Sequence, residues 1–545
     1  MTTTNATGTN ATTQPRRLRI ACCAPPLSGH LNPVLSLAEG LAKRNTANKS
    51  RDGDDGFGKN EVRLFTLPFG IEKAKSRCDV AGIKMVALSL GKGFDSQEEI
   101  KVTAKNCKKG TFRTLADGAK IPITEALDEF CPDVLVGDMC GFAAQEYAAS
   151  RNIPLVINIP GNFIILKCFL GPAINVDDNS LWFSAGGLFI SYTGLSLFRV
   201  LSWFNVMDFG EMSDRIRGFI NCGNSMVLIN TFWGFEKPQY LLHPNIFPVG
   251  SVEKPLPKHP DFSKSHPELH SFLKNARASN RKIFMVTTGS MVRMEEWMVK
   301  LLWEAFERLS REQKTSFVWS LKEDRQEILS EEELQHPAFH FSKWLPQPAL
   351  MASDLVDGVL THCGWNGTLE SVSGGKPVVV LPFFADQMAN ASLLINAGCA
   401  TAITAMPALN TDSTGMSSYA APDAGFWKRL RLRTLTVDGV VEACARLLTD
   451  PRYTAAAKKL RALSSGPGMG RSFACELIEH AGKHGLRHLT ESGDGDGNDG
   501  PRAATLANRL TGHRPLAMTV VLCLVAFAGA AGAAAWAKRT YRRDD

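Results

Sequence analysis

Short apolar runs alternate with amphipathic stretches along the first half of the chain. The runs have the length and composition of buried strands, and they are Arg17–Pro25, Glu61–Pro68, Asp133–Asp138 and Ile153–Pro160. Apolar residues recur at helical spacing in Val34–Arg44, and further helices are predicted over Thr124–Phe130 and Phe142–Asn152. Strand–helix alternation of this kind predicts a parallel, doubly wound α/β sheet.

A second alternating unit occupies the other half of the chain. It begins with Lys282–Ser290, a helix follows through Phe306, and its later strands are Ser316–Leu321, Gly358–Thr361 and Pro377–Pro382. Residues 251–280 are rich in Pro, Lys, His and Ser and are predicted to connect the two units. The pattern therefore predicts a disordered leader over residues 1–16, one α/β domain over 17–250 and a second over 281–484.

The last part of the chain has a different pattern. Residues 485–514 contain an acidic, glycine-rich run and are predicted to be a linker. Pro515–Ala537 has no charged side chain over 23 residues, which is enough for a helix to cross a hydrocarbon core about 30 Å thick. Because Arg514 and the basic tail 538–545 flank this segment, we predict a C-terminal transmembrane helix rather than a buried core helix.

Two topologies are compatible with such an anchor. The basic tail would lie in the cytosol, which puts the two large domains on the lumenal side. However, the N-terminus lacks the apolar region of a signal peptide, and the thirteen cysteines are scattered without a CxxC pair. These observations favour a tail-anchored protein with cytosolic domains, and the lumenal orientation is the alternative.

Composition narrows the functional class. A hydrophobic content of 44% and a charged content of 21% are typical of a folded protein, and 545 residues suffice for two or three domains. The net charge of +7 is small for this length and forms no dense basic stripe outside the termini, so nucleic-acid binding is not expected. Residues 162–209 are unusually apolar and aromatic, and they are predicted to form either core helices or an apolar ligand pocket.

Two predicted strands of the first domain end at chemistry-bearing side chains. His30 follows the first strand, within Ser28–Pro33, and Asp138 ends the strand Asp133–Asp138. Taken singly, His30 would be a turn residue and Asp138 a helix N-cap. Together they predict an acid–base pair, because an imidazole can take a proton from a hydroxyl group while a carboxylate orients it and stabilises the imidazolium.

The strongest signal is the segment Trp344–Gln387 of the second domain. It contains the turn Thr361–Gly367, which links a strand to the helix that holds Glu370. Glycines let a backbone approach a diphosphate, and a helix N-terminus supplies amide donors. With an indole for a base, a carboxylate for a ribose and Asp386–Gln387 for sugar hydroxyls, the residue types suit a nucleotide sugar.

These motifs resemble the signature box of the family 1 UDP-glycosyltransferases, which include UDP-glucosyl and UDP-glucuronosyl enzymes. The segments WLPQ, THCGWNGTLES and GKPVVVLPFFADQ match it, as do Gly29-His30, Gly137-Asp138 and Thr288-Gly289-Ser290, and the resemblance covers residues 17–484. It implies a GT-B fold, in which two Rossmann-like domains face each other across a cleft. The N-terminal domain would bind the acceptor and the C-terminal domain the UDP-sugar.

By position, the resemblance assigns a role to each candidate. His30 resembles the general base and Asp138 its partner. The resemblance places Trp344 against uracil, Gln347 near the base, Glu370 at the ribose hydroxyls, and Trp365, Asp386 and Gln387 at the hexose. The phosphate-binding residues it implies are Ser290, His362 and Asn366, with Gly364 and Gly367 allowing close backbone approach. Gly367 stands where plant members have serine, so a phosphate contact at this position must come from the backbone.

The sequence supports one leading hypothesis and one alternative. The first, which the resemblance implies, is an inverting, metal-independent enzyme that transfers a hexose, with glucose favoured over glucuronate, from a UDP-sugar to a hydroxyl group of a small lipophilic acceptor. The alternative is a membrane-tethered nucleotide-sugar-binding protein without turnover. No metal ligand set and no cofactor are expected, since the UDP-sugar is a co-substrate, and a lipid bilayer is expected as a partner through residues 515–537. A dinucleotide oxidoreductase is excluded because no Gly-x-Gly-x-x-Gly follows the first strand.

Overall fold

The chain folds around two parallel sheets. The computed structural model describes residues 17–44, 60–106, 111–163, 223–237, 242–254, 259–289, 292–383, 386–403, 419–420 and 433–489, together with residues 166 and 218. Several predicted segments lie outside these residues: the leader 1–16, most of the aromatic segment 162–209, the linker beyond residue 489, the anchor 515–537 and the tail 538–545.

The first sheet has seven strands in the order β3-β2-β1-β4-β5-β6-β7, and every described pairing in it is parallel. Its strands are β1 (Arg19–Cys23), β2 (Glu61–Thr66), β3 (Lys84–Ala87), β4 (Val134–Asp138), β5 (Leu155–Ile159), β6 (Ser225–Ile229) and β7 (Ile246–Pro248). The central strands are buried on both faces, which explains why they read as continuous apolar runs rather than as alternating patterns.

Between β1 and β5, the described residues form the helices α1 (Ser28–Lys43), α2 (Pro68–Ala81), α3 (Gln97–Asn106), α4 (Thr111–Phe130) and α5 (Phe142–Ser150). Helix α4 begins well before the predicted Thr124, although Pro122 lies inside it. Proline removes one intrahelical hydrogen bond and disfavours a helix interior. Burial of Leu115, Ile123 and Leu127 in one apolar cluster accounts for the longer helix.

The second sheet has six parallel strands in the order β10-β9-β8-β11-β12-β13. Its strands are β8 (Lys282–Thr287), β9 (Thr315–Ser320), β10 (Phe339–Ser342), β11 (Gly358–Thr361), β12 (Val378–Val380) and β13 (Ala400–Ala402). A separate parallel pair consists of β14 (Tyr419–Ala420) and β15 (Arg433–Thr434).

Helices also cover the second sheet. They are α6 (Pro267–Ala278), α7 (Glu296–Gln313), α8 (Glu323–Gln326), α9 (Glu331–Leu334), α10 (Gln347–Ala352), α11 (Trp365–Gly374), α12 (Gln387–Asn396), α13 (Val437–Thr449) and α14 (Pro451–Ser464). Helix α6 was predicted as the end of the interdomain connection. It packs Leu269 and Leu273 against Ile283 and Met285 of β8, so it forms part of the second domain's core.

The last long helix in the described part of the chain returns to the first domain. Helix α15 (Gly470–His484), which a short 3₁₀ turn (Arg487–Leu489) follows, buries Ala474 and Ile478 among residues of β1 and α1. Ion pairs support this packing, since Arg44 Nε lies 3.1 Å from Glu479 Oε2. The sequence assigned residues up to 484 to the second domain, but this helix is part of the first. The apolar stripe of α15 indicates that one face of the helix is buried, but it does not indicate which sheet that face packs against.

Strand order changes direction at one place in each sheet, and this determines where the candidate residues lie. In the first sheet the change lies between β1 and β4, which are adjacent and parallel. In the second sheet it lies between β8 and β11. Ligands of open α/β sheets bind at the carboxyl ends of the strands that flank such a point. His30 and Asp138 lie at the first of these points, and Gly289 and His362 at the second.

Candidate active site

His30 and Asp138 form a hydrogen-bonded pair. His30 Nδ1 lies 2.9 Å from Oδ1 and 3.1 Å from Oδ2 of Asp138. A carboxylate only accepts hydrogen bonds, so Nδ1 is the donor and Nε2 of the neutral ring keeps its lone pair. The Asp138 side chain is fully buried, whereas 22% of the His30 side chain is exposed. The pair thus presents a basic nitrogen at the sheet edge with its carboxylate partner protected from water.

The local backbone fixes the carboxylate of Asp138. The amide of Cys140 donates to Asp138 Oδ1 at 2.8 Å, and Gln145 Nε2 donates to the Asp138 carbonyl at 2.7 Å. Burial lowers the pKa of His30, but the charge and hydrogen bond of Asp138, with a contribution from Asp386, outweigh burial and raise it. Asp386 belongs to the second domain, so the electrostatics of His30 depend on both halves of the molecule.

The thiol of Cys140 lies beside this pair. Ligand atoms of His30, Asp138 and Cys140 fall within 4.8 Å of one another, which is the spacing of a possible metal site. Burial and the nearby charge of Asp138 raise the pKa of the Cys140 thiol well above its usual value. A protonated thiol is a poor metal ligand, and His30 and Asp138 already bond to each other. We therefore interpret the group as a proton-transfer site, and the absence of a metal stays a prediction.

His362 is enclosed by backbone at the second switch point. A Cβ atom at Gly289 would lie 2.5 Å from Nε2 of His362, and one at Gly364 would lie equally close to the same atom. Only glycine fits at either position, and Gly289 also adopts φ +70°. Burial lowers the pKa of His362 to about 4. The ring is therefore neutral at physiological pH and can donate a hydrogen bond without carrying a charge.

Helix α11 begins immediately after this turn. Cys363 has φ +62°, a conformation that non-glycine residues rarely adopt, and Gly364 is the residue that precedes the first turn. Asn366 is half-buried and Gly367 is buried in that turn. Free amide groups and the helix dipole make such a terminus suitable for a phosphate group. Ser290, the remaining predicted phosphate ligand, lies outside the described residues.

Trp344 is presented to solvent at the other end of the predicted donor site. It is 64% exposed, which is unusual for a tryptophan. Its ring stacks on His266 with centroids 5.8 Å apart and an angle of 24° between the planes. The opposite face of the indole is the one that a planar base could cover.

Glu370 and Gln347 connect this region to the sheet. Gln347 Nε2 donates to Glu370 Oε2 at 2.7 Å, and Gln347 Oε1 accepts a bond of 2.8 Å from Thr287 Oγ1. The amide of Gln347 is thereby held by two protein partners. Gln347 thus positions the carboxyl group predicted to bind a ribose.

Trp365 differs from the role that the resemblance assigns to it. Its side chain is only 5% exposed, its Nε1 donates to the carbonyl of Asn230 at 3.0 Å, and its ring stacks on Phe235 with centroids 5.9 Å apart. Asn230 and Phe235 follow β6 of the first domain. The indole is therefore a contact between the domains, because its length reaches the neighbouring sheet from the first residue of α11.

Asp386 and Gln387 begin helix α12. Asp386 is half-buried, and its Oδ2 accepts a bond of 2.7 Å from Asn390. Gln387 is 4% exposed, and its Oε1 accepts a bond of 2.9 Å from the amide of Phe383 in the preceding loop. Asp386 thus lies close enough to His30 for its charge to raise the pKa of the imidazole, while at least one polar atom of Gln387 holds the loop.

Sequence reasoning missed two asparagines next to these residues. Asn390 lies four residues after Asp386, and Asn162 follows β5; both are fully buried. The i, i+4 spacing of Asp386 and Asn390 was a signal, because side chains at this spacing meet on a helix. Nothing in the sequence linked Asn162 to either of them.

No described helix is long and apolar enough to cross a membrane. Cysteines in the described part of the chain carry free thiols.

Comparisons with known proteins agree with this geometry. A family model described as "UDP-glucoronosyl and UDP-glucosyl transferase" matches residues 220–415. The chain is 24% identical over 410 residues to UDP-glycosyltransferase 73E1 of Stevia rebaudiana, a match that spans 67% of this chain and 78% of that protein. It is 33% identical over 119 residues to nuatigenin 3-beta-glucosyltransferase of Solanum aculeatissimum, spanning 21% of this chain and 23% of that protein.

The solved structures extend the likeness to the whole fold. Os79 from O. sativa, crystallised in a complex that includes a trichothecene, superposes with a TM-score of 0.60 at 15% identity, over 85% of this chain and 100% of that one. The fold is therefore the two-domain α/β arrangement of GT-B glycosyltransferases, as the sequence predicted.

Proposed function

This chain is a UDP-glycosyltransferase of the UDP-glucosyl and UDP-glucuronosyl transferase family, and we propose that it transfers a hexose, with glucose favoured, to a hydroxyl group of a small lipophilic acceptor. One observation carries the proposal. His30 bonds to Asp138 at the edge of the first sheet and is influenced electrostatically by Asp386 of the second domain. The proposed base and the proposed sugar-binding carboxylate are therefore close enough to interact.

In the proposed reaction, Nε2 of His30 takes the proton of the acceptor hydroxyl group. The acceptor oxygen forms a bond to the anomeric carbon as the bond from that carbon to the diphosphate oxygen breaks. UDP leaves with the electron pair, and attack from the opposite face inverts the configuration. Asp138 stabilises the imidazolium that forms, because its buried carboxylate lies 2.9 Å from Nδ1.

The donor half supports departure of UDP without a metal ligand set. Gly289 and Gly364 pack closely against His362, which is neutral, and the amide groups at the start of α11 follow Gly364. Helix-terminal amide groups favour developing negative charge on a diphosphate. We propose that the phosphates bind here, the ribose at Glu370, the base at Trp344 and the hexose at Asp386. No cofactor is needed in this scheme, since the UDP-sugar is consumed as a co-substrate.

Three points favour glucose and a lipophilic acceptor. The named relatives include a glucosyltransferase of nuatigenin, and the sequence of Asp386-Gln387 suits the hydroxyl groups of glucose. A membrane anchor would concentrate the enzyme where lipophilic acceptors partition. We propose that residues 515–537, which lie outside the described residues, form this single-pass anchor with cytosolic domains; the lumenal orientation is the alternative.

A binding protein without turnover is the second function considered. It would need the donor half but would have no use for a hydrogen-bonded histidine–carboxylate pair in the first domain. The His30–Asp138 geometry therefore favours the enzyme.

The test uses the full-length protein in detergent or membranes. It is incubated with labelled UDP-glucose or UDP-glucuronate, a panel of lipophilic alcohols and phenols, and a chelator, and products are identified by mass spectrometry. We expect glucosylated products that the chelator does not abolish. His30→Ala should abolish transfer and retain UDP binding, whereas His480→Ala, an exposed histidine of α15, should behave as wild type. UDP binding without product on any acceptor would favour the binding protein, and full activity of His30→Ala would refute the assigned base.

The proposed membrane anchor and its orientation have a separate test. Membranes that contain the full chain are treated with protease and compared with a chain that ends before residue 515. The comparison reports whether the protein is attached to the membrane and on which side its two domains lie. The proposal expects the full chain to sediment with membranes and remain accessible to protease on the cytosolic face. Protection inside vesicles would establish the lumenal orientation, and a full chain that stays soluble would refute the anchor.

A further inference from the structure

A buried carboxamide connects the two domains at the proposed sugar site. Asn390 Nδ2 donates to Asp386 Oδ2 at 2.7 Å and to the Cys363 carbonyl at 2.9 Å. Asn162 Nδ2 of the first domain donates to Asn390 Oδ1 at 2.7 Å. Both asparagines are fully buried. One side chain therefore contacts the sugar-binding carboxylate, the phosphate turn and the opposite domain.

The chemistry of the partners fixes the orientation of this amide. A backbone carbonyl can only accept a hydrogen bond, so the nitrogen of Asn390 must face Cys363 and its oxygen must face Asn162. Both N–H groups and the oxygen then have partners. Aspartate at position 390 would set a negative charge against the Cys363 carbonyl and the Asp386 carboxylate, although it has the same shape. The position therefore requires an amide.

Each of the three partners matters to the proposed reaction. Asp386 is the predicted hexose ligand, and its charge raises the pKa of His30. Cys363 holds φ +62° in the turn beside His362, and the bond from Asn390 to its carbonyl supports that conformation. Asn162 follows β5, whose neighbour β4 ends at Asp138. The hydrogen bonds thus run from the strand edge of the acceptor domain to the donor site.

We propose that Asn390 and Asn162 are positioning residues, through which docking of the acceptor domain orients Asp386 and the phosphate turn for transfer. This inference rests on the proposed function. Neither asparagine is assigned a contact with substrate. Asn390 holds Asp386 and the Cys363 carbonyl where the donor binds. The bond from Asn162 fixes the carboxamide of Asn390 when the two domains are in contact.

The test separates docking from donor binding. Asn162→Ala removes one hydrogen bond between the domains and leaves both bonds from Asn390 to the donor site. We expect kcat/KM for the UDP-sugar to fall about tenfold, as for loss of one buried hydrogen bond, with the Kd of UDP changed less than about threefold because UDP binds the second domain. Asn390→Ala should lower kcat/KM and raise the Kd of UDP, because it removes both bonds to the donor site. The double variant should be no worse than Asn390→Ala, since the two residues act through the same bonds.

Two further variants keep the test decisive. Asn162→Asp has the same shape but sets an acceptor against Asn390 Oδ1, so kcat/KM should fall at least as far as in Asn162→Ala even if the alanine variant folds poorly. Asn224→Ala is the matched control: this buried asparagine also joins distant segments, donating to the Asn152 carbonyl at 3.0 Å and accepting from the Leu486 amide at 3.0 Å. It should lower thermal stability and leave kcat/KM unchanged.

The outcomes distinguish this inference from the proposed function. Wild-type protein that releases no UDP from any UDP-sugar would refute the function itself. Wild-type turnover combined with multiplicative effects of the two asparagine variants, or with equal losses in UDP affinity and kcat/KM for Asn162→Ala, would overturn the positioning role. A fall in kcat/KM for Asn224→Ala that matches Asn162→Ala would also overturn it, because general destabilisation would then explain both.

Discussion

Gln347 donates a hydrogen bond of 2.7 Å from its Nε2 atom to the carboxyl group of Glu370. Thr287, at the end of β8, donates in turn to Gln347 at 2.8 Å, so three side chains connect the sheet to helix α11. Burial raises the pKa of Glu370 to about 7, although the bond from Gln347 opposes the rise. The group predicted to bind the ribose therefore titrates near physiological pH.

The first prediction concerns the pH dependence of UDP binding. Ribose hydroxyl groups donate to an ionised carboxylate, and a raised pKa means that Glu370 is largely protonated below about pH 7. UDP affinity should therefore rise about tenfold between about pH 6 and about pH 8, in calorimetric titration. Glu370→Gln should bind UDP more weakly, and its UDP affinity should lack the pH dependence that the ionisation of Glu370 causes. An identical slope in the variant would assign the titration to UDP or to another group.

A second prediction concerns Asp138. Burial lowers the pKa of His30 and Asp138 raises it, so Asp138→Asn leaves burial dominant. The neutral histidine is the active form, and the acidic limb of the pH–rate profile should therefore move to lower pH. We expect kcat to fall by about 10³-fold or more, since the ring also loses the partner that fixes its tautomer. Asp133→Asn is the control at the opposite end of β4, where Asp133 bonds to the Arg19 amide. Unchanged kcat in Asp138→Asn would remove Asp138 from the mechanism.

The sequence predicted residues that act through their own strand or turn. His30 and Asp138 were placed at strand ends, and β1 and β4 are neighbours, so the pair meets as expected. The same rule located His362 and the start of α11. The roles of Trp365 and Asn390 were not predictable in this way, because both depend on contacts with the other domain. Helix α15 was assigned to the wrong domain for the same reason: periodicity shows that a face is buried but not what buries it.

A third prediction tests the enclosure of His362. Gly289→Ala would place a Cβ atom 2.5 Å from the imidazole, so the ring must move and UDP-sugar affinity should fall about tenfold or more. Gly468→Ala is the matched control, because Gly468 has nearly the same φ, +71° against +70°, but nothing within 4 Å of the added atom. Both variants should lose stability through backbone strain. Only Gly289→Ala should lose affinity; equal losses of affinity would mean that strain, not contact with His362, is responsible.

The last prediction tests Trp365 as an interdomain contact. Trp365→Phe keeps an aromatic ring against Phe235 but leaves the buried carbonyl of Asn230 without its donor, which should destabilise the protein by about 1–3 kcal/mol beyond the loss of packing. Trp319→Phe measures the packing loss alone. Trp319 is fully buried, and within the described part of the chain its Nε1 has no hydrogen-bond partner, so phenylalanine there removes volume without breaking a bond.

Thermal unfolding of the two variants compares the same chemical change at two sites. Trp365→Phe should lower the midpoint more than Trp319→Phe, and it alone should raise KM for the acceptor, because loosening the domains moves His30 relative to the donor. A Trp365→Phe variant that keeps wild-type stability and loses only UDP-sugar affinity would return the indole to the hexose site. The family resemblance predicts that result, and the buried bond from Trp365 to Asn230 predicts the opposite.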